Sequence, residues 1–330
     1  MDTKILNVNE IDTAAELIRK GELVAFPTDT VYGLGADATN EEAVQDIFRA
    51  KGRPTNRPIN VLVANHKDIY NYATDVPDEA YALVKAFWPG PFTIILKDAG
   101  KLASPITAGK QTVGMRMPDL KVARDFIEKS GVPLATPSAN SSGRPSTTLA
   151  SHVIDDLNGK ISAIIDGGET PYGIESTILD YSNPDHPLLL RPGNISQEAI
   201  EAIIQKPVFM SESRTDASAK ETEKHYEPLV PVYIVTSDWN EVIQKFQDDQ
   251  IKIGLLASDD LIALYKDKVE SYFSLGAKGD VAAANKKIFQ GLRELEQSEA
   301  AIILANPYPN EGIGIPYMNR LKNAASHKMI

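Results

Sequence analysis

The chain contains no cysteine among its 330 residues, which excludes disulfides, a thiolate nucleophile and any cysteine-based zinc or iron-sulfur centre. No apolar run approaches the 18 residues of a membrane span, and no basic, apolar leader opens the chain, so a cytoplasmic protein with no membrane partner is expected. Histidine is scarce as well. The five, at positions 66, 152, 186, 225 and 327, lack ligand spacing, and no protein-held metal site is expected. With no secretory route in view, the Asn-x-Ser matches at Asn140 and Asn194 carry no meaning as glycosylation sites. Positive charge is in deficit: the formal net charge is -11, and both halves are acidic, which argues against stable, backbone-driven nucleic-acid binding. A Gly-x-x-x-x-Gly-Lys-Ser/Thr phosphate loop, a Gly-x-Ser-x-Gly elbow and a His-Glu-x-x-His motif are all missing.

What remains is an ordinary globular composition, 42% hydrophobic and 24% charged, in a chain long enough for two domains. From residue 5 to about 205, short apolar runs mix with helical patterns. Helices are predicted over 11–20, 41–51, 78–87, 120–129 and 197–205, and strands over 23–26, 60–63, 92–96, 113–117, 163–165 and 176–179. Because the two do not alternate strictly, an α/β domain with an open mixed sheet is expected over 1–205. Residues 206–230 turn polar and charged between prolines and read as an interdomain linker. Beyond it, over 231–330, strands at 232–235, 253–257 and 300–305 alternate with helices at 241–247, from about 259, at 280–296 and at 318–325. That pattern is a small α/β domain with a parallel sheet.

Gly33-Leu34-Gly35-Ala36-Asp37-Ala38 matches the Gly-x-Gly-x-x-Ala dinucleotide fingerprint. The fingerprint requires a strand ending at the first glycine and a helix opening at the third position. Here Pro27 to Tyr32 intervene, and the better helix start is Thr39, with Glu42 reaching back as a capping box. The glycines are therefore expected in a loop, without a nicotinamide cofactor.

Three groups of residues could carry chemistry. Lys51, Arg53 and Arg57 fall within seven residues of an acidic chain. A helix C-terminus accounts for Lys51 through its dipole, but Arg53 and Arg57 lie past the helix end, where a polyanion such as triphosphate suits them as well. The stretch "LATPSANSSGRPSTT", residues 134–148, holds Ser138, Asn140 and Ser146. It reads either as a turn-rich surface loop or as neutral donors lining a phosphate or adenosine pocket at a strand end. Arg116, Ser176 and Arg191 each follow a strand-like run, where they could be structural ion pairs or members of one cleft. A site made of cations and hydroxyls, with no covalent nucleophile, works by positioning and charge neutralisation. Alanine at Lys51 or Arg53 is then expected to lower turnover by orders of magnitude and leave thermal melting nearly unchanged.

Taken in order, "FPTDTVYGLGADA", "IFRAKGRP", "FWPGPFTIIL", "TVGMRMP", "LATPSANSSGRPS", "DGG", "GIESTILD" and "LLRPGNIS" resemble the YrdC-like threonylcarbamoyl-AMP synthases. The C-terminal "GIGIPYMNRLKNAAS" resembles the appended domain of their longer members. The resemblance implies a YrdC-like twisted mixed sheet followed by a small Rossmann-like domain. It also implies an enzyme that joins L-threonine, bicarbonate and ATP, with Mg2+, into threonylcarbamoyl-adenylate and releases pyrophosphate. The product would pass to a tRNA threonylcarbamoyl-transfer complex. By motif, Thr30, Arg116, Thr136 and Ser176 correspond to the threonine and carbamate side. Lys51, Arg53, Ser138, Asn140, Ser146 and Arg191 correspond to the nucleotide side, with Lys51 and Arg53 as the catalytic pair, Arg57 beside them and Tyr226 as part of a lid. Two departures stand out: Leu62 occupies the family's usual histidine position, and the residues ahead of His225-Tyr226 lack the usual Pro-Gly-Met. The alternative in another class is an RNA-binding or ribosome-associated factor using the same concave surface, which the acidic charge disfavours.

Overall fold

The computed structural model describes residues 2–211 and 225–330. The chain divides into two compact units, one comprising Met1–Ser142 with Thr147–Ala219 and the other Gly143–Ser146 with Lys220–Ile330. Among the described residues no helix is long and apolar enough to cross a membrane.

The first unit is built on strands β1 (Lys4–Asn7), β2 (Val24–Phe26), β3 (Gly33–Asp37), β4 (Val61–Leu62), β5 (Phe92–Lys97), β6 (Thr112–Arg116), β7 (Leu134–Ala135), β8 (Ala163–Asp166), β9 (Thr177–Asp180), β10 (Leu188–Arg191) and β11 (Phe209–Met210). They form one sheet in the order β1-β8-β2-β3-β7-β4-β6-β5-β9-β10-β11. The pairings mix both senses: β2 is parallel to β8 and antiparallel to β3, while β4 is parallel to β6 and antiparallel to β7. The helices are α1 (Ile11–Arg19), α2 (Glu41–Lys51), α3 (Ile69–Tyr72), α4 (Asp78–Phe87), α5 (Lys121–Ser130), α6 (Ala150–Leu157) and α7 (Gln197–Ile204).

Alternation along the central strands supplies two apolar faces. Ala25, Val61 and Ile164 join one buried cluster with residues of α2 and α4, whereas Val24, Phe26, Leu62 and Ile165 join another with α1 and α5. The sheet is thus covered on both sides, as a sheet with many parallel pairs requires. Helix α2 shows why its boundaries were legible. Asn40 accepts from the amides of Glu42 and Ala43, acidic residues fill the first turn, and Gly52 at φ +61° ends the helix in the left-handed region.

Two expectations are corrected here. The cap of α2 is Asn40 and not Thr39, because the Thr39 hydroxyl is taken by Asp37 Oδ1 at 2.7 Å. Gly33 and Gly35 lie in strand β3, not in a loop. A Cβ on Gly33 would stand 2.4 Å from Thr136 Cγ2, so the glycine is there to let β3 approach its neighbour closely.

The stretch predicted as a linker, 206–230, includes β11, which pairs parallel with β10; its residues 212–224 lie outside the described residues.

In the second unit, β12 (Val232–Ile234), β13 (Ile253–Ala257), β14 (Ser271–Ser274) and β15 (Ile302–Ala305) form an all-parallel sheet in the order β12-β15-β13-β14. Helices α8 (Trp239–Asp248), α9 (Asp259–Tyr265), α10 (Val281–Gln297) and α11 (Gly314–Ala324) connect and flank it. Gly291 lets α10 sit close on the sheet, since a Cβ there would come 2.4 Å from Leu256 Cδ1.

Candidate active site

The β2–β3 connection, Pro27 to Tyr32, carries three polar residues that are almost wholly buried: Thr28, Asp29 and Thr30. Buried polar groups need partners. Thr28 Oγ1 donates to the Val31 carbonyl at 2.6 Å and accepts from the Thr30 amide at 3.2 Å, which folds the loop on itself. The remaining partner comes from the end of β6. Arg116 donates through Nη1 to Thr30 Oγ1 at 2.7 Å, through Nε to the Gly90 carbonyl at 2.9 Å, and through Nη2 to Asp29 Oδ1. Burial lowers the Arg116 pKa below the usual guanidinium range, Asp29 opposes that shift, and nearby Arg191 adds to it. The buried Arg116–Asp29 pair thus feels a second guanidinium, giving two positive charges against one carboxylate. Such an arrangement favours an incoming carboxylate.

Arg191, at the end of β10, reaches back over β9. Its Nε donates to the Ser176 carbonyl at 2.9 Å and its Nη2 to Ser176 Oγ at 3.2 Å, while Ser176 Oγ lies 2.7 Å from Thr93 Oγ1 on β5. The approach depends on Gly193, where a Cβ would fall 2.4 Å from the Thr177 nitrogen and 2.8 Å from the Ser176 carbonyl carbon.

The 27–32 loop is tied laterally to the segment after β7. Gly33 bridges Ser138, the Leu34 amide donates to the Pro137 carbonyl, and the Ala139 amide to the Tyr32 carbonyl, at 2.9 and 2.8 Å. Thr136, on the same segment, donates from its amide to the Asn60 carbonyl at 2.8 Å. At the far end of this segment Lys51, the last residue of α2 and only 4% exposed, donates from Nζ to the Ser138 carbonyl at 2.5 Å and to the Asn140 carbonyl. Lys51 is therefore a brace for the Ser138–Asn140 loop as well as a local positive charge. Arg53 lies just past the helix, half-buried, with Nη2 on the Pro58 carbonyl at 3.0 Å and a buried Nε that has no partner among the described residues. Burial, reinforced by the neighbouring positive charge of Arg57, lowers its pKa to about 10. Arg53 is still cationic at neutral pH, and no carboxylate pairs with it among the described residues.

Thr30, Thr136, Ser138, Asn140, Lys51, Arg116, Ser176 and Arg191 thus belong to one unit and to connected strand ends. Arg191, expected beside the nucleotide, is bonded directly to Ser176, expected beside threonine. Ser146 and Tyr226 belong to the second unit. There the segment containing Ser146 is held by Arg293, whose Nη2 donates to the Pro145 carbonyl at 2.6 Å. Tyr226, at φ +60°, sets its ring 5.0 Å from that of Phe289 of α10, tilted by 43°. Leu62 points into the apolar cluster with Phe126 and Leu134.

Sequence reasoning passed over Asp29 and Thr93. The first had a readable signal, a lone carboxylate between threonines in an otherwise apolar stretch. The second had none.

Residues 16–193 match the family model of Sua5, YciO and YrdC, described as telomere recombination, and residues 195–326 match the model of the threonylcarbamoyl-AMP synthase C-terminal domain. The chain is 39% identical to the threonylcarbamoyl-AMP synthase of Bacillus subtilis, over 98% of this chain and 95% of the relative. It is 40% identical to that of Pyrococcus abyssi, over 99% of each. The crystal structure of P. abyssi Sua5 complexed with L-threonine superposes with a TM-score of 0.89 at 38% identity, covering 99% of both chains.

Proposed function

This chain belongs to the Sua5, YciO and YrdC family and is an enzyme of the threonylcarbamoyl-AMP synthase type, and we propose that it joins L-threonine, bicarbonate and ATP into threonylcarbamoyl-adenylate, with release of pyrophosphate, for modification of tRNA. The observation that carries this reading is the run of contacts from the Lys51 ammonium, through the Ser138–Asn140 loop and the Gly33 bridge, to Thr30 and Arg116. It sets a cationic, hydroxyl-bearing end beside a buried guanidinium end within one sheet. The relative solved with L-threonine supports threonine as the amino-acid substrate.

In this reading the unprotonated amine of threonine adds to the carbon of bicarbonate with loss of water, giving a carbamate. A carbamate oxygen then attacks the α-phosphorus, the bond from that phosphorus to the bridging oxygen breaks, and pyrophosphate leaves with the electron pair. Arg116, Thr30 and Ser176 hold the amino-acid side. Arg53 and Arg57 take up charge on the phosphates, and Lys51 holds the Ser138–Asn140 loop against them. Fixed cations aimed at developing charge contribute on the order of a hundred- to a thousandfold each. Among the described residues no three carboxylate or imidazole groups gather at metal-ligand spacing. Magnesium would enter with the nucleotide as part of that substrate and would offset charge on its phosphates.

Pyrophosphate release, measured with ATP, threonine and bicarbonate each omitted in turn, tests the reading. Release that needs all three supports it. Release that is indifferent to threonine, or absent with all three present, overturns it.

A further inference from the structure

The hydroxyls of Thr93 and Ser176 sit 2.7 Å apart, and either could be the donor. Their surroundings decide which. Thr93 is 1% exposed, and its hydroxyl meets no acceptor but Ser176 Oγ among the described residues. If Ser176 donated to it, the Thr93 hydrogen would be buried without a partner. The reverse arrangement moves the open hydrogen onto Ser176, itself 3% exposed, where an oxygen of a bound substrate can accept it. Thr93 donates into one lone pair of Ser176 Oγ, and Arg191 Nη2, which can only donate, fills the other at 3.2 Å. With both lone pairs engaged, the Ser176 hydrogen is the one left for a ligand oxygen.

We propose that Thr93 is a positioning residue that commits the Ser176 hydroxyl to donating a hydrogen bond to an anionic oxygen of the amino-acid substrate. The proposal rests on the functional reading above and deepens it: the amino-acid side selects for an acceptor oxygen, through a residue that itself never touches the ligand. Arg191 serves the same end: its guanidinium, anchored on the Ser176 carbonyl, also donates to the Ser176 hydroxyl oxygen.

The test compares Thr93→Val, which keeps the shape and removes the donor, with Thr93→Ser, which keeps the donor. L-threonine binding is followed by calorimetry, and the KM values for threonine and ATP by pyrophosphate release. T93V should weaken threonine binding and raise its KM about tenfold, leave the KM for ATP within about twofold, and add nothing further in a Ser176→Ala background. T93S should restore threonine binding to within about twofold of the parent. Unchanged threonine binding in T93V overturns the proposal. So does an equal rise in both KM values, or a T93S no better than T93V, since each marks a packing defect. Should the parent bind threonine but release no pyrophosphate, the functional reading falls while the binding arm still decides the role of Thr93. A parent that does not bind threonine overturns both.

Discussion

Asp29 and Arg116 form an ion pair whose side chains are 2% and 7% exposed. Asp29 Oδ2 is buried without a partner among the described residues, so the carboxylate is held chiefly by the guanidinium. Removing one partner of a buried pair costs about 3–5 kcal/mol, because the other charge is left uncompensated. Asp29→Asn keeps the shape and an acceptor for Arg116 while removing the charge. It should lower the melting temperature by roughly 6–20 °C, at about 2–4 °C per kcal/mol for a domain of this size, and raise the KM for threonine more than that for ATP. A calorimetric melting scan checks the first part, and a shift under about 2 °C would show that the pair contributes little.

Arg53 leads to a pH prediction. Its pKa is lowered to about 10 by burial and by Arg57. The folded state therefore binds this proton less tightly than the unfolded state does. Arg53 costs stability throughout the range below pH 10, and stability is regained only as pH rises from 10 toward the unfolded value. For nucleotide binding the sign is opposite, because the cation is what attracts the phosphates. ATP affinity should hold steady from pH 7.5 to 9 as far as Arg53 is concerned, then weaken about fourfold by pH 10.5 as the guanidinium loses its proton. Subtracting the profile of Arg53→Gln isolates this component in titration calorimetry. Identical profiles for the two proteins would remove Arg53 from the phosphate side.

Lys51 departs from what its spacing implied. From the sequence, alanine at Lys51 should reduce turnover and spare stability; the structure adds a second consequence, because Nζ is bonded to two carbonyls of the Ser138–Asn140 loop. Lys51→Met retains the aliphatic stem and removes those bonds, leaving buried carbonyls without that donor at about 1–3 kcal/mol. K51M should therefore lose turnover by about a hundredfold or more and also melt several degrees lower, whereas R53Q loses turnover alone. Circular dichroism melts of the two variants, run beside pyrophosphate assays, distinguish them. Equal melting temperatures would mean that Lys51 is not a brace.

How much of this was legible in the chain follows from where each signal resides. Helices Glu41–Lys51 and Asp78–Phe87 were bounded correctly, because caps, prolines and apolar spacing are local. Arg116, Ser176 and Arg191 were noticed because each follows an apolar run. Short strands such as Lys4–Asn7 and Phe209–Met210 were not seen, since so few residues show no periodicity. The supports of the site were hidden for a different reason. Asp29 meets Arg116 across 87 positions, and Thr93 meets Ser176 across 83. Neither residue has any local feature that predicts such a partner, and only the strand order brings them together.

Gly33 is where local rules misled most, and it supports the last prediction. Glycine is a poor strand former, yet Gly33 opens β3 because the neighbouring segment comes so near: a Cβ would lie 2.4 Å from Thr136 Cγ2. Side chains do not occupy such separations, so Gly33→Ala must push β3 away from Thr136 or twist Thr136 off its rotamer. Overpacking of this kind costs about 1–3 kcal/mol. The clash involves one methyl group, so removing that methyl should cancel it. Thr136→Ser keeps the hydroxyl that donates to the Leu134 carbonyl at 3.0 Å and deletes Cγ2. In a double-mutant cycle read by urea denaturation, G33A should be clearly destabilised, T136S only mildly so, and the double variant more stable than G33A by about 1 kcal/mol or more. Strict additivity would place the constraint on Gly33 in the backbone of β3 and not in the Thr136 side chain. The coupling between the β2–β3 connection and the Ser138–Asn140 loop would then run through the Gly33–Ser138 bridge and the flanking Leu34 and Ala139 amide bonds.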